Sequence, residues 1–179
     1  MGTIVGIRLA DGVALAADKR ATDGSTVRSE SVEKLFAFDG PEAGTVATGE
    51  TGSIQTFGRK LDTEVRQRGT EQGSPIRIDP LSRLASELAN ETGVEAVVAA
   101  RDTDGTARMR AIDGAGGELD EEVAARGTGA EFALGQLEGM DRGVPVEEAA
   151  DVLESIFERV AERDTETGAD CTVWTLADG

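Results

Sequence analysis

The hydrophobic pattern of this chain switches repeatedly between strand-like alternation and helix-like recurrence at every third or fourth residue. Residues 3–9 and 13–17 are β-branched or small, and Asp11-Gly12 between them favours a tight turn, so an opening β-hairpin is predicted. A second hairpin is expected to turn through Asp39-Gly40-Pro41, and a third through Asp104-Gly105. The other predicted strands cover residues 34–38, 44–48, 94–101, 107–113, 122–126 and 171–176.

Amphipathic helices are predicted between these groups of strands. The apolar spacing favours a helix over residues 53–68, and Asp79 followed by Pro80 is typical of an N-cap and a first helical position. A short helix is expected to end near Gly139, and a longer one to cover residues 146–162. The apolar stripes behind these predictions are Ile54, Phe57, Leu61 and Val65; Leu81, Leu84 and Leu88; and Val146, Ala149, Leu153, Ile156, Phe157 and Val160.

The resulting order is strands, two helices, strands, two helices and a last strand. Grouped strands separated by paired helices predict an α+β fold in which two antiparallel sheets stack between helix layers. The strand at 122–126 is expected to join the pair formed by 94–101 and 107–113. No linker, repeat or low-complexity tract divides the sequence, so residues 1–179 are expected to form one domain. Because aromatic residues are rare, its core is expected to consist of Val, Ala, Leu and Ile.

The chain is strongly acidic, with a formal net charge of -17. Nucleic acids and anionic membrane surfaces repel a polyanion, which argues against both as partners. Lysine is scarce, and an acidic, lysine-poor surface is typical of proteins in concentrated salt, because salt screens the self-repulsion. The sequence shows neither an apolar stretch of membrane-spanning length nor a signal peptide. A halophilic cytoplasm is therefore the expected location.

The residue types limit the chemistry, because histidine is absent and Cys171 is the only cysteine. Neither a Ser-His-Asp nor a Cys-His triad can form, nor a metal site built on histidine or on several cysteines. No metal or organic cofactor is indicated. Cys171 lies in an apolar strand pattern and is interpreted as a buried, inert thiol. A remaining base is a free α-amine, with an ordinary pKa of about 7.7–8.0, which can serve an N-terminal threonine.

Six segments of the sequence, spread in order over nearly its whole length, carry a resemblance to a known family. They read TIVGIRLADGVALAADKRAT, VEKLFAFD, ATGETGS, IDGAGG, RGTGAEFALGQLE and RDTETGAD. Together they resemble β subunits of the 20S proteasome and their bacterial HslV relatives. The resemblance implies an N-terminal-nucleophile (Ntn) hydrolase fold, a four-layer αββα sandwich. It also implies a threonine peptidase scaffold that hydrolyses peptide bonds inside a self-compartmentalising ring.

The resemblance also implies roles for individual residues. Lys34 would lie beside the nucleophile and ease its deprotonation, and Asp18 would orient that lysine, because an unpaired buried ammonium is costly. The backbone N–H of Gly49 would stabilise the tetrahedral oxyanion. Thr128, Asp164, Thr167 and Gly168 would surround the terminal amine, with hydroxyls of Thr128 and Thr167 replacing the family's serines. A small-walled, uncharged substrate pocket would be lined by Ala21, Val32 and Ala47. Taken singly, these residues are also compatible with a surface ion pair and with turns.

The N-terminus departs from the family pattern. Keeping Gly6 and Asp18 in register places Gly2 at the position of the nucleophilic threonine, and glycine has no side chain with which to attack a carbonyl. An inactive chain is therefore expected, in which Gly2 is either an inactivating substitution or a feature of a natural non-catalytic subunit. Alternatively, removal of Met1-Gly2 would expose Thr3. Strand alternation argues against this, because it would point Thr3 away from Lys34.

The partners that the resemblance implies are further copies of the chain in stacked rings. Rings of α-type subunits and a AAA+ ATPase are additional candidates, with peptides or unfolded proteins as substrates. The sequence is also compatible with two other functions: a purely structural ring subunit, and an active Ntn hydrolase or peptide ligase that uses Thr3.

Overall fold

The computed structural model describes residues 1–38, 40 and 42–179, and within them it contains two large antiparallel sheets, a two-stranded sheet and four α-helices. The strands are β1 Thr3–Leu9, β2 Gly12–Asp18, β3 Ala21–Asp23, β4 Thr26–Ser29, β5 Leu35–Phe38, β6 Ala43–Thr48, β7 Glu95–Arg101, β8 Ala107–Ile112, β9 Glu118–Asp120, β10 Val123–Gly127 and β11 Cys171–Ala177. The helices are α1 Thr51–Gln72, α2 Ile78–Thr92, α3 Ala130–Glu138 and α4 Ala149–Ala161, and a 3₁₀ turn at Val146–Glu148 leads into α4. The short strands β3 and β4 form a separate hairpin.

The two sheets stack between two pairs of helices. One sheet has the strand order β10-β1-β2-β11, and the other has the order β5-β6-β7-β8-β9. Helices α3 and α4 cover the outer face of the first sheet, and α1 and α2 cover the outer face of the second. This arrangement is the four-layer αββα sandwich, so the predicted fold class is confirmed.

Three hydrophobic clusters hold the layers together. One lies between the sheets and includes Ile4, Leu15 and Val97. A second lies beneath α1 and α2, and a third beneath α3 and α4, where Val5 and Ile7 pack. Aliphatic side chains and alanine dominate all three clusters, as the composition predicted. Successive residues of β1 therefore belong to opposite clusters, which fixes the face on which each of its side chains lies.

The opening hairpin turns one residue earlier than predicted. Leu9 pairs with Gly12, so Gly12 is the first residue of β2 rather than part of the turn. A Cβ on Gly12 would come within 2.4 Å of the Leu176 carbonyl oxygen. This glycine therefore permits close approach of β11 and is not required by the turn itself. Of the second predicted turn, Asp39 and Pro41 lie outside the described residues.

The strand predicted at 122–126 exists as β10, but its expected partner was wrong. It pairs with β1 in the first sheet, while the polar strand β9 pairs with β8.

Helix α2 begins at Ile78 after an Arg77 N-cap, so Asp79 is not the N-cap. Asp79 lies instead in the first turn, where its negative charge interacts favourably with the positive end of the helix dipole. Helix α1 is longer than predicted and ends at Gln72, and its C-cap Gly73 adopts φ +66°. No helix within the described residues is long and apolar enough to cross a membrane.

Candidate active site

The candidate site is organised around Asp18, the last residue of β2, whose carboxylate is fully buried. Its Oδ1 accepts hydrogen bonds from the Thr3 N–H at 3.0 Å and from Lys34 Nζ at 2.8 Å. Its Oδ2 accepts from the Arg20 N–H at 3.0 Å and from the Gly168 N–H at 2.9 Å. Four donors compensate the loss of water around this carboxylate and tie four chain segments together.

Lys34 directly precedes β5 and is 3% exposed. Besides Asp18, its ammonium group donates to the Arg20 carbonyl at 2.6 Å and to the Met1 carbonyl at 3.1 Å. An ammonium group has three protons to donate, so these acceptors use its full capacity. The predicted pair Asp18–Lys34 is therefore a buried, fully hydrogen-bonded ion pair and not a surface one.

Gly2 lies directly against this pair. It adopts φ +81°, and a Cβ built on it would come within 2.3 Å of Asp18 Oδ1 and 2.4 Å of Lys34 Nζ. Its carbonyl accepts a hydrogen bond from the Thr128 N–H at 2.9 Å, which fixes the backbone. A side chain at position 2 would therefore point at the lysine, and it would fit only if the backbone moved.

Thr3 points to the opposite side of β1, into the region beneath α3 and α4. Its Oγ1 accepts from the Gly129 N–H at 3.0 Å and lies 2.7 Å from Thr167 Oγ1. Thr167 in turn donates its proton to Asp164 Oδ2, so the Thr3 hydroxyl must be the donor to Thr167. The Thr3 hydroxyl is thus fully engaged and fully buried.

Asp164 accepts hydrogen bonds from two of the hydroxyl groups that were predicted to belong to the site. Its Oδ2 accepts from Thr167 and from Thr128 Oγ1, the latter at 2.6 Å, and its Oδ1 accepts from the Glu166 N–H at 3.2 Å. Thr128 Oγ1 also lies 3.4 Å from the Gly2 carbonyl oxygen. These contacts bring the predicted residues Thr128, Asp164 and Thr167 together beside the backbone of Gly2.

A cleft of about 220 Å³ opens next to Lys34 and Met1. Among the described residues that were predicted to lie here, Gly49 and Ala21 line the cleft, whereas Val32 and Ala47 do not. Ala47 is fully buried in the core beneath α1 and α2. An uncharged pocket was expected, whereas several charged residues line this cleft. They are Arg20, Asp23, Lys34, Glu50 and Glu166.

Two participants were not predicted from the sequence. Thr48, the last residue of β6, donates its hydroxyl to the Met1 carbonyl at 2.9 Å. The Gly129 N–H fixes Thr3, as described above. Thr48 was missed because its role depends on the face of β6 that it occupies. It shares that face with Val46, which packs between the sheets.

The Cys171 thiol is another reactive group of the chain, and the carboxylates are its possible metal ligands. Burial raises the pKa of the half-buried Cys171 thiol to about 12, which leaves little nucleophilic thiolate at neutral pH. Among the described residues, no group of three or more Cys, Asp or Glu side chains is placed to hold a metal ion.

The αββα layer order and the placement of β1, β2 and Lys34 around Asp18 define the class of protein: the chain has the Ntn hydrolase fold. A family model described as "Proteasome subunit" matches residues 1–176, and the chain belongs to this family. It is 33% identical to proteasome subunit beta 1 of Thermococcus kodakarensis, over 98% of this chain and 88% of the relative. It is 32% identical to the proteasome subunit beta of Halorubrum lacusprofundi, over 98% of this chain and 73% of the relative. It is 31% identical to a proteasome subunit beta of Methanobrevibacter ruminantium, over 93% of this chain and 81% of the relative.

Proposed function

We propose that this chain is a β-type proteasome subunit, one domain over residues 1–179, that keeps the threonine peptidase scaffold but lacks the nucleophile. The observation that carries the proposal is the direction of a side chain at position 2. A Cβ there would approach Lys34 Nζ to 2.4 Å, and glycine supplies no hydroxyl at that place. The chain would therefore bind peptide in its cleft without cleaving it.

The groups around the missing hydroxyl support the same proposal. In a threonine peptidase of this family, the hydroxyl attacks a peptide carbonyl, the C–N bond breaks and the protonated amine leaves, and water then hydrolyses the resulting ester. In this chain Lys34 and Asp18 would provide the electrostatic support, the Gly49 N–H would hold the oxyanion, and Thr128, Asp164, Thr167 and Gly168 would surround the amine. Lys34 donates to Asp18, and Thr167 donates to Asp164, so both pairs keep their hydrogen bonds, as expected of a scaffold that has lost only its attacking group.

The alternative nucleophile, Thr3, has less support. Its hydroxyl is buried and donates its proton to Thr167. It therefore points toward Thr167 and away from Lys34. Using it would require β1 to slip by one residue, which would turn Val5 and Ile7 out of the core beneath α3 and α4.

A peptide hydrolysis assay tests the proposal. We expect the purified protein to leave fluorogenic peptides intact. A Gly2→Thr chain whose first residue is position 2 should gain hydrolysis, and the gain should disappear when Lys34→Met is added. Hydrolysis by the unmodified protein that Thr3→Val abolishes would contradict the proposal. Transfer to an added amine without hydrolysis would instead favour a peptide ligase.

Assembly is the second part of the proposal. Membership in a family of proteasome subunits supports assembly into stacked rings of this chain, with α-type subunits and a AAA+ ATPase as further partners. If catalysis is absent, the ring contacts would be the contribution of the subunit. Mass photometry of the purified protein checks this: particles of ring size are expected, and a chain that stays monomeric at all concentrations would contradict it.

Acidity and several relatives support a halophilic cytoplasm. The net charge is -17, and similar β subunits occur in Halorubrum lacusprofundi and Haloarcula marismortui. Self-repulsion of this charge is screened within about 10 Å at 0.1 M salt and more closely at higher salt. We expect stability to fall steeply on dialysis into low salt. A melting temperature that does not depend on salt would contradict this part of the proposal.

A further inference from the structure

Two buried side chains from different segments converge on one carbonyl oxygen. Thr48 Oγ1 lies 2.9 Å from the Met1 carbonyl oxygen, and Lys34 Nζ lies 3.1 Å from it. Thr48 is fully buried and Lys34 nearly so. Neither donor has been assigned to this purpose by the catalytic scheme, in which a backbone N–H at Gly49 would hold an oxyanion.

The surroundings of this oxygen favour partial negative charge. Glu50 and Thr51, at the start of the 22-residue helix α1, line the same cleft, and a helix N-terminus carries a partial positive charge. The hydroxyl of Thr48 has a single proton, and it is directed at Met1. The site is therefore built to receive an oxygen that accepts two hydrogen bonds.

We infer that Lys34 and Thr48 form a binding site for the carbonyl oxygen of a neutral peptide group, and that the Met1–Gly2 peptide group is its present occupant. Neutrality follows from the local charges. Asp18 already compensates Lys34, and among the other charged residues of the cleft the carboxylates of Asp23, Glu50 and Glu166 outnumber the single cation Arg20, so a carboxylate would be repelled. The inference rests on the proposed binding of peptide in the cleft, but binding of a carbonyl needs no nucleophile, so it is tested by the Met1 carbonyl signal and not by hydrolysis.

The Met1 carbonyl can be observed selectively. Met1–Gly2 is the only Met-Gly pair in the sequence, so ¹³C-carbonyl methionine combined with ¹⁵N-glycine gives one pair-selective NMR signal. It can be recorded in solution, or on sedimented protein if the assembly is large. Thr48→Val and Thr48→Ala should move this carbonyl signal toward the position of a solvent-exposed carbonyl, and Thr48→Ser should retain it. Thr45→Val is the matched control, because it removes a buried hydroxyl of β6 that bonds to Val97 and not to Met1.

The ligand is tested with acetyl-alanyl-glycinamide as the probe. Rising concentrations should displace the Met1 carbonyl and move its signal to the exposed position. The loss of one hydrogen bond should weaken the probe about fivefold in Thr48→Val, with no change in Thr45→Val. The same dipeptide with a free carboxylate should bind more weakly. An unchanged Met1 signal in Thr48→Val, equal probe affinity in that variant, tighter binding of the carboxylate, or no displacement up to the solubility limit would each overturn the inference.

Discussion

Asp18 and Lys34 form an ion pair in which Oδ1 and Nζ lie 2.8 Å apart, and their side chains are 0% and 2% exposed. Removing one partner of such a pair leaves a buried charge without its counter-ion. Lys34→Met should therefore lower the free energy of unfolding by about 3–5 kcal/mol. Urea denaturation at constant salt measures this change.

The matched control for that pair lies on the surface. Arg66 and Asp62 form an exposed pair on α1, and Arg66→Met should cost only about 0.3–0.5 kcal/mol. Equal destabilisation by the two variants would show that Lys34 is not held in a desolvated pair.

Thr3 is predicted to be a structural residue. Thr3→Val should lower stability by about 1–3 kcal/mol, because it leaves the Gly129 N–H without its acceptor in a buried place. Thr3→Ser should retain most of the stability, since it keeps the hydroxyl. Thermal denaturation compares both with Thr175→Val, a change at an exposed position of β11. A Thr3→Val protein that melts with the Thr175→Val control would contradict this role.

Gly2 is predicted to resist substitution while the N-terminal segment stays in the cleft. Gly2→Ala combines a positive φ with contacts below 3 Å to Asp18 and Lys34, and it should cost about 1–3 kcal/mol. Gly135→Ala, in the middle of α3 with open space around its Cβ, should instead stabilise by about 0.5–1 kcal/mol. Differential scanning calorimetry of the two variants checks the contrast. If both stabilise the protein, the backbone at Gly2 is not in the conformation described.

Cys171 gives a pH-dependent prediction. Burial raises the pKa of its thiol to about 12, above the ordinary value of about 8.5 in an unfolded chain. The neutral thiol therefore contributes stability that is fully present below the ordinary pKa and is lost as the pH rises toward the folded one. Cys171→Ser should remove this part of the alkaline loss, which melting temperatures across alkaline pH would reveal. Identical pH profiles for the two proteins would contradict the raised pKa.

Hydrophobic periodicity was sufficient to predict the layers of this fold. Stripes such as Ile54, Phe57 and Leu61 are buried as predicted, because helix amphipathicity is a local property of the sequence. The sheet to which β10 belongs could not be predicted in this way. Its small residues suit either sheet, and only the return of the chain beside β1 selects one.

The site was predictable where residue identity carries the chemistry. Asp18, Lys34, Asp164 and Thr167 were expected from the family resemblance, and their side chains meet in two pairs, Asp18 with Lys34 and Asp164 with Thr167. Thr48 could not be found in this way, because its hydroxyl acts only through the face of β6 that it occupies and through the position of Met1. Ala47 was expected to line the pocket, and in the structure it lies on the face of β6 that packs beneath α1 and α2.

Intact-mass spectrometry after incubation with a threonine-directed β-lactone tests the central claim most directly. The reagent acylates a live threonine nucleophile and adds its own mass to the chain. We predict an unchanged mass, because position 2 supplies no hydroxyl and the Thr3 hydroxyl is buried against Thr167 and Gly129. A chain that has lost Met1-Gly2 and carries the lactone on Thr3 would contradict the account.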